Sequence, residues 1–466
     1  MKDACEVIHR ASIEVLEEAG IHCPDDHTLS LLNKNGIKTS GDQAFFTEAQ
    51  IMTWLKRAPG TFIVYARNPD YNLRIGGGCS WFAPGYGAPM IVDFDGKKRR
   101  ALFDDYITFI KLVQQCSLFH INGGLLVQPS DLSEKSGFPL MLFAAMELSD
   151  KCLISGAGGA EEANIVMNML KIVFNDMSRP RIFALVSTSS PLGISQKSLE
   201  TIRIFAESGQ PVIISPAPMA GMTGPVTIAG HLAMANAEAL AGIVITQMFH
   251  PGTPVIYGVQ GSNADMRNAV PCAGSPDSAL IVSHCAEMAR YYGLPSRSGG
   301  TKNDAKSVDI QSGYESMMMM MASCQSGIDL IIHSAGILDT FMSMSYEKFI
   351  VDTEMIGMVK HFMKGVAITD ETLAVKTIKE TGSHGDFLTN AHTLEHCAAA
   401  HYKADIGIRR MLNDGETSRE RLLLSINEKK NRMLDEYVKP PFEKLTRKTL
   451  YRYLADLGAE EEMMIW

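Results

Sequence analysis

The chain has 466 residues, 46% of them hydrophobic and 20% charged, with a formal net charge of −9. That length allows one very large domain or two to three ordinary ones, with a sizeable buried core. A mildly acidic chain without a basic run argues against nucleic acid and anionic membrane surfaces as partners.

The 9 cysteines stand singly, with no Cys-x-x-Cys pair. This points to reduced thiols in a cytoplasmic protein and away from a disulfide framework or a zinc ribbon. Glu6, Glu14, Glu17 and Glu18 lie on a helical pattern, which argues against a signal peptide. No uncharged apolar run looks long enough to span a membrane.

In chain order, Val7, Ile8, Ala11, Val15 and Leu16 recur at helix spacing and stop at Gly20. A β-ribbon is expected next, with Phe62–Tyr65 and Leu73–Ile75 flanking the turn signal Asn68-Pro69-Asp70. A Gly- and aromatic-rich segment runs to Asp95. From residue 118 on, short apolar runs alternate with helical patterns. The runs are 118–121, 152–155, 182–186, 211–215, 254–258 and 330–333, with 295–298 as a weaker one. Continuous apolar strands alternating with helices imply a parallel sheet covered on both faces. Seven or eight such units favour an α/β (β/α)8 TIM barrel over an open sheet. The eighth strand falls either near Trp81 or after Gly365. The expected division is an N-terminal helical and β-ribbon segment (1–95), a barrel (96–415) and a C-terminal helical tail (416–466), broken at Pro440-Pro441.

In a parallel barrel, chemistry sits at the C-terminal ends of the strands. That gives a short list. One run ends at Tyr257, followed by Gln260, Asn263 and Asp265. The next ends at Arg297, followed by Lys302, Asn303 and Asp304. Another ends at His333, followed by Asp339 and Phe341. Each has a plain structural alternative: Tyr257 and Phe341 as core, His333 as a satisfied buried histidine, Arg297 as one half of an ion pair. Metal ligation is weakly supported. His392 and His396 could share a helix face, but their partner would have to come from far away. Gly76-Gly-Gly78 and Gly158-Gly159 lack the Lys-Ser/Thr of a P-loop, and Gly-x-Ser-x-Gly is absent. The segment Trp81-Phe-Ala-Pro-Gly-Tyr-Gly87 reads either as a hairpin over the barrel mouth or as a loop presenting rings to a quaternary ammonium.

Several blocks carry a family resemblance. They are Ile8–Ser12 and Leu16–Gly20, Gly96–Arg100 ahead of Asp104-Asp105, and Gly299–Glu315. Ser345–Asp352, Glu354–Met358 and Gly385–Leu394 follow. Through them the chain resembles the trimethylamine methyltransferase superfamily, in the branch without pyrrolysine. The resemblance implies a (β/α)8 barrel that demethylates methylamines or betaines and hands the methyl to the Co(I) corrinoid of a separate carrier protein. No tightly bound cofactor and no metal are implied. Trimethylamine-specific members carry pyrrolysine, so a chain of the standard twenty residues points to glycine betaine or proline betaine, or to carnitine or γ-butyrobetaine.

On that basis Tyr86, Tyr257 and Phe341 form the expected cage, with Trp81 and Gln260 beside it. His333 lies by the transferred methyl or relays a proton, and Arg297 or backbone N–H groups hold the carboxylate. Asp304, Lys306, Asp309 and Gln311 form a scaffold at the mouth. A homo-oligomer is expected. Two other readings fit parts of the pattern: a zinc-dependent corrinoid methyltransferase acting on methanol or a thiol, and a betaine-binding subunit without catalysis.

Overall fold

The computed structural model of the chain describes residues 2–465. The N-terminal helical pattern becomes α1 (Lys2–Glu18), followed by α2 (Asp26–Lys34) and α3 (Glu48–Leu55). Thr47 caps α3 in a reciprocal capping box with Gln50, which satisfies donors that the first turn cannot. The expected ribbon forms: strands Phe62–Val64 and Leu73–Ile75 pair antiparallel around an Asn68-capped turn.

The apolar runs pair in parallel. Strands Leu153–Ser155, Ile182–Ser187, Val212–Ser215 and Val255–Tyr257 form one sheet in chain order. Past its last edge, Tyr257 bridges Ser296 and Arg297 bridges Leu330. Strand Leu330–Ile331 then pairs with Trp81–Phe82. Phe82 bridges Phe119, and Ile121 bridges Cys152 at the first edge. The parallel pairings therefore return to their starting strand. The eighth segment is the one at Trp81. The chain after Gly365 forms short helices instead.

Each segment is followed by a helix: α4 (Phe103–Gln115), α5 (Gly137–Leu148), α6 (Ala160–Val173), α7 (Gln196–Glu207), α8 (Ile228–Phe249), α9 (Pro276–Tyr292), α10 (Ile310–Gln325) and α11 (Tyr346–Met363). Alternation along the strands sends Ile154, Phe183, Leu185, Ile213, Ile256 and Leu330 into one buried cluster. The ribbon residues Val64 and Leu73 join that cluster. The ribbon covers the N-terminal end of the strands, where Tyr65 N–H donates to Pro180 and Asn68 N–H to Asp150. The opposite end, where the strands finish, is left for chemistry.

α8 is long and apolar enough to cross a membrane, by length and composition. It is mostly buried here. Its Glu238 accepts hydrogen bonds from Thr188, Ser190 and the Leu192 N–H, so in this fold it is a core helix with a satisfied carboxylate. Three further short helices follow α11: α12 (Asp370–Leu373), α13 (Val375–Thr381) and α14 (Ala391–His396). The tail forms α15 (Ser418–Asp435), packed on α4 and α11, and α16 (Lys444–Asp456), packed on α5 and α6.

Candidate active site at the strand C-termini

Two cations are buried where the strands end. Arg297 is 2% exposed and Lys302 1% exposed. Arg297 Nη1 donates to Ser215 Oγ at 2.9 Å, while its Nε has no partner. Among the described residues neither cation has an ion-pair partner. Burial pushes the Arg297 guanidinium down to about 10. Burial first, then the Arg297 charge, pushes the Lys302 ammonium down to about 7. Two uncompensated cations taken out of water are costly, and nearby Asp304 does not relieve them directly. Its carboxylate is taken up by the Ala273 and Gly274 N–H groups at 2.8 and 3.1 Å and by Thr340 Oγ1 at 2.6 Å.

His333 lies beside this pair. Burial, then the charges of Arg297 and Lys302, hold its imidazole well below its ordinary range, so it is neutral. Its Nδ1 has no partner. Two rings face it: Phe341 with centroids 4.6 Å apart, and Tyr86 edge-on at 6.4 Å. The backbone bends tightly to achieve this. Gly300 has φ of +107°, and a Cβ there would lie 2.3 Å from the Ile332 carbonyl oxygen. His333 itself has φ of +62°, and Asp339, Thr340 and Phe341 have φ of +54°, +50° and +73°. Such left-handed non-glycine residues cost about 1–3 kcal/mol each and persist only where the surroundings hold them.

The block after Arg297 does that holding. Lys306 and Lys98 both pair with the Asp339 carboxylate. Asp304 accepts from the Thr340 hydroxyl, and the Thr340 N–H donates to the Asn303 carbonyl. Asp309 caps α10 by accepting from Ser312 N–H. Gln311 donates to Glu315, whose other oxygen accepts from Asp304 N–H at 2.7 Å. Asp304 and Lys306 thus fix the loop that presents Phe341, while Asp309 and Gln311 fix the block to α10.

Gln260 is buried near the same strand ends, its Oε1 unpartnered. Two expected cage residues are elsewhere. Trp81 opens its strand and so lies at the opposite end. Its indole donates to the Arg74 carbonyl of the ribbon at 2.8 Å, and its ring packs on His120. Tyr257 follows inward-facing Ile256, so the two-residue alternation turns it outward, where its hydroxyl donates to Asn236 of α8 at 2.9 Å. Lys302 is the residue whose role sequence reasoning missed. It stood among the strand-end polar groups, but only its complete burial separates it from a surface lysine. His231, fully buried with both ring nitrogens unpartnered and held down to about 4 by burial, gave no sequence signal. A cleft of ≈ 790 Å³ opens beside the mouth, lined by Asp304, Lys306, Gln311, Tyr314 and Met342 among others. It is walled by the scaffold and does not include Arg297, His333 or Tyr86.

Comparison with known proteins gives a consistent family pattern. The profile of the trimethylamine methyltransferase (MTTB) family matches residues 1–461. A glycine betaine methyltransferase of Desulfitobacterium hafniense is 37% identical over 98% of this chain and 97% of its own length. A proline betaine:corrinoid methyltransferase of Eubacterium limosum is 28% identical over 97% and 96%. Among solved structures, the monomethylamine methyltransferase of Methanosarcina barkeri aligns with a TM-score of 0.55 at 13% identity, covering 99% of this chain and 88% of that one. That likeness is one of fold.

Proposed function

Because this chain belongs to the trimethylamine methyltransferase (MTTB) family, we propose that it removes a methyl group from a small carboxylate-bearing quaternary amine and passes it to the Co(I) corrinoid of a separate carrier protein. The observation that carries this reading is the pair of buried, unpaired cations, Arg297 and Lys302, beside the rings of Phe341, His333 and Tyr86. A betaine is the complementary shape: a carboxylate for the cations and a quaternary ammonium for the ring faces. Trimethylamine offers no carboxylate to them. Glycine betaine is the first candidate, with proline betaine, carnitine and γ-butyrobetaine as alternatives.

The corrinoid supplies a strongly nucleophilic metal centre. This chain's residues do the rest. The C–N bond breaks with its electron pair left on nitrogen, so the departing amine is neutral and no acid is needed. The protein's task is to aim the N–CH₃ bond outward and exclude water. Neutral His333 does not repel the ammonium. The rim fits a protein partner. Met222, Val226, Met266, Val270, Ile310 and Met342 follow the strand ends and are all exposed, an apolar collar suited to a docked carrier.

We read the closed circuit from Trp81 to α11 as a (β/α)8 barrel in a cytoplasmic enzyme, so the catalytic unit begins at its first strand and not at residue 96. The deciding experiment is a spectral assay of Co(I) corrinoid methylation with a panel of amines. Betaines are expected to turn over and trimethylamine is not. No turnover with any quaternary amine overturns the proposal.

Two further outcomes follow. Phe341→Ala is expected to weaken betaine binding by about 0.5–2 kcal/mol, the range of one cation–π contact; calorimetric titration checks it, and a smaller loss removes Phe341 from the cage. Carboxylate binding also requires protonated Lys302, so betaine affinity is expected to fall as pH rises through about 7, with proton uptake on binding at pH above that value. The unliganded fold responds oppositely. Lys302 is held below its ordinary 10.5, so between those two values the unfolded chain binds more protons and stability rises with pH. An affinity flat across that window removes Lys302 from the carboxylate site.

A further inference from the structure

A quaternary ammonium brought near Arg297 and Lys302 is repelled by both of them. Ring faces offset only part of that repulsion. A carboxylate on the far side of the mouth would offset more, and most carboxylates near the strand ends are already engaged. Asp304 holds the Ala273 and Gly274 N–H groups. Asp339 pairs with Lys98 and Lys306, and Asp352 with Lys348. Glu238 accepts from Thr188 and Ser190. Glu162 differs from all four. It is half-buried and, among the described residues, has neither a hydrogen bond nor an ion pair.

A glutamate in the first turn of a helix ordinarily serves that helix, by capping it or by complementing its dipole. In α6 the capping is done from α7. The Gly159 N–H donates to Thr201 Oγ1 at 3.1 Å, and the Ala160 N–H to Glu200 at 2.9 Å. The Glu162 side chain is left free to fold back over the loop that follows strand Leu153–Ser155. It lies so close to that loop that a Cβ on Gly158 would stand 1.7 Å from its Oε2. Two residues earlier, a Cβ on Gly156 would stand 3.0 Å from the Tyr86 hydroxyl. Two glycines thus let a carboxylate and a phenol settle on one short loop.

The circuit of strands sets where this carboxylate stands. Counting from Trp81–Phe82, strand Leu153–Ser155 is the third segment and the one ending at Arg297 is the seventh. In a ring of eight, those positions face each other across the mouth. Tyr86 reaches between them. Its ring meets His333 edge-on, and it feels the charges of both Arg297 and Glu162. Its hydroxyl has no hydrogen-bond partner among the described residues. Burial pushes the Glu162 carboxyl up, and Lys197 acts against that through space without pairing with it.

We propose that Glu162 is the counter-charge for the substrate's quaternary ammonium, holding that end of the zwitterion across the mouth from Arg297 and Lys302. The proposal rests on the methyl-transfer reading for the class of substrate. It also fixes the direction in which a betaine enters, because the reversed zwitterion would set like charges against each other at both ends.

The test is calorimetric titration of the full-length protein without its carrier. Glu162→Gln keeps the side-chain shape and has no partner to lose. It is expected to weaken tetramethylammonium and glycine betaine about fivefold or more, the worth of unit charges about 4 Å apart even at the dielectric of water. 3,3-Dimethylbutyrate keeps the carboxylate and the shape of glycine betaine but has carbon in place of the charged nitrogen. It is expected to bind the variant as well as the wild type, or better. Glu161→Gln removes the neighbouring exposed carboxylate and is expected to leave all three ligands unchanged. Tetramethylammonium affinity within about twofold of wild type in Glu162→Gln would remove Glu162 from the site and leave the methyl-transfer reading standing. A parallel loss of 3,3-dimethylbutyrate, or equal weakening by Glu161→Gln, would also overturn the proposal. A wild type that binds no quaternary amine would overturn it together with the methyl-transfer reading.

Discussion

Arg297→Met is expected to lower kcat/KM for betaine about 30- to 5,000-fold while leaving the fold as stable as before or more so. The first half follows from the contact it would break. A buried charge facing a ligand carboxylate is worth about 2–5 kcal/mol when one partner is truncated, and each 1.36 kcal/mol is about tenfold in rate. The second half follows from the resting state. Arg297 is fully buried and, among the described residues, its side chain has one hydrogen bond, to Ser215, and an unpartnered Nε. Removing a charge that the fold itself does not compensate relieves desolvation and gives a small gain of about 1 kcal/mol. A structural arginine would show the reverse, lost stability along with lost activity. Binding of tetramethylammonium, which has no carboxylate, separates the roles further and should be nearly unchanged. Equal losses for both ligands would remove Arg297 from carboxylate recognition.

The same residue shows what the sequence carried. Strands covered on both faces need no alternation between apolar and polar residues, so 182–186 and 211–215 stood out as plain apolar runs. The ends of the runs 295–298 and 330–333 then named Arg297 and His333, with Phe341 following. The first strand of the circuit was harder. It is two residues long, begins with Trp81 and is flanked by glycines, so nothing periodic marked it. Tyr257 failed for another reason. Its position on the strand was right, but a one-residue step decides whether a side chain enters the interior or the helix layer, and a three-residue strand gives no pattern to count. Lys302 marks a third limit. Spacing shows that a side chain is charged or apolar and says nothing of what lies opposite. For Lys302 what lies opposite is the charge of Arg297.

The buried pair Lys348–Asp352 is where the site's support can be tested most sharply. Both side chains are fully buried, one helical turn apart on α11. Lys348 Nζ bonds the Asp352 carboxylate and Ser316 Oγ of α10. Asp352 also accepts from the Gly336 N–H at 2.8 Å and the Thr301 hydroxyl at 3.1 Å. One ion pair thus ties two helices to the loops that carry His333 and Lys302. Burial opposes charge on both partners, pushing the lysine down and the aspartate up, so neither tolerates losing the other. Asp352→Ala leaves a buried ammonium facing a cavity and the Gly336 N–H without an acceptor. It is expected to cost about 3–5 kcal/mol, read as a lowered midpoint of chemical denaturation. Lys348→Met/Asp352→Leu removes both charges at similar volume and is expected to recover most of that loss. Its turnover should nevertheless stay low, because Gly336 and Thr301 still lack the carboxylate that fixes their loops. Full activity in the double variant would show that the pair stabilises the helices without positioning the site, and equal instability in both variants would show that the charge pairing is not what holds α11 to α10.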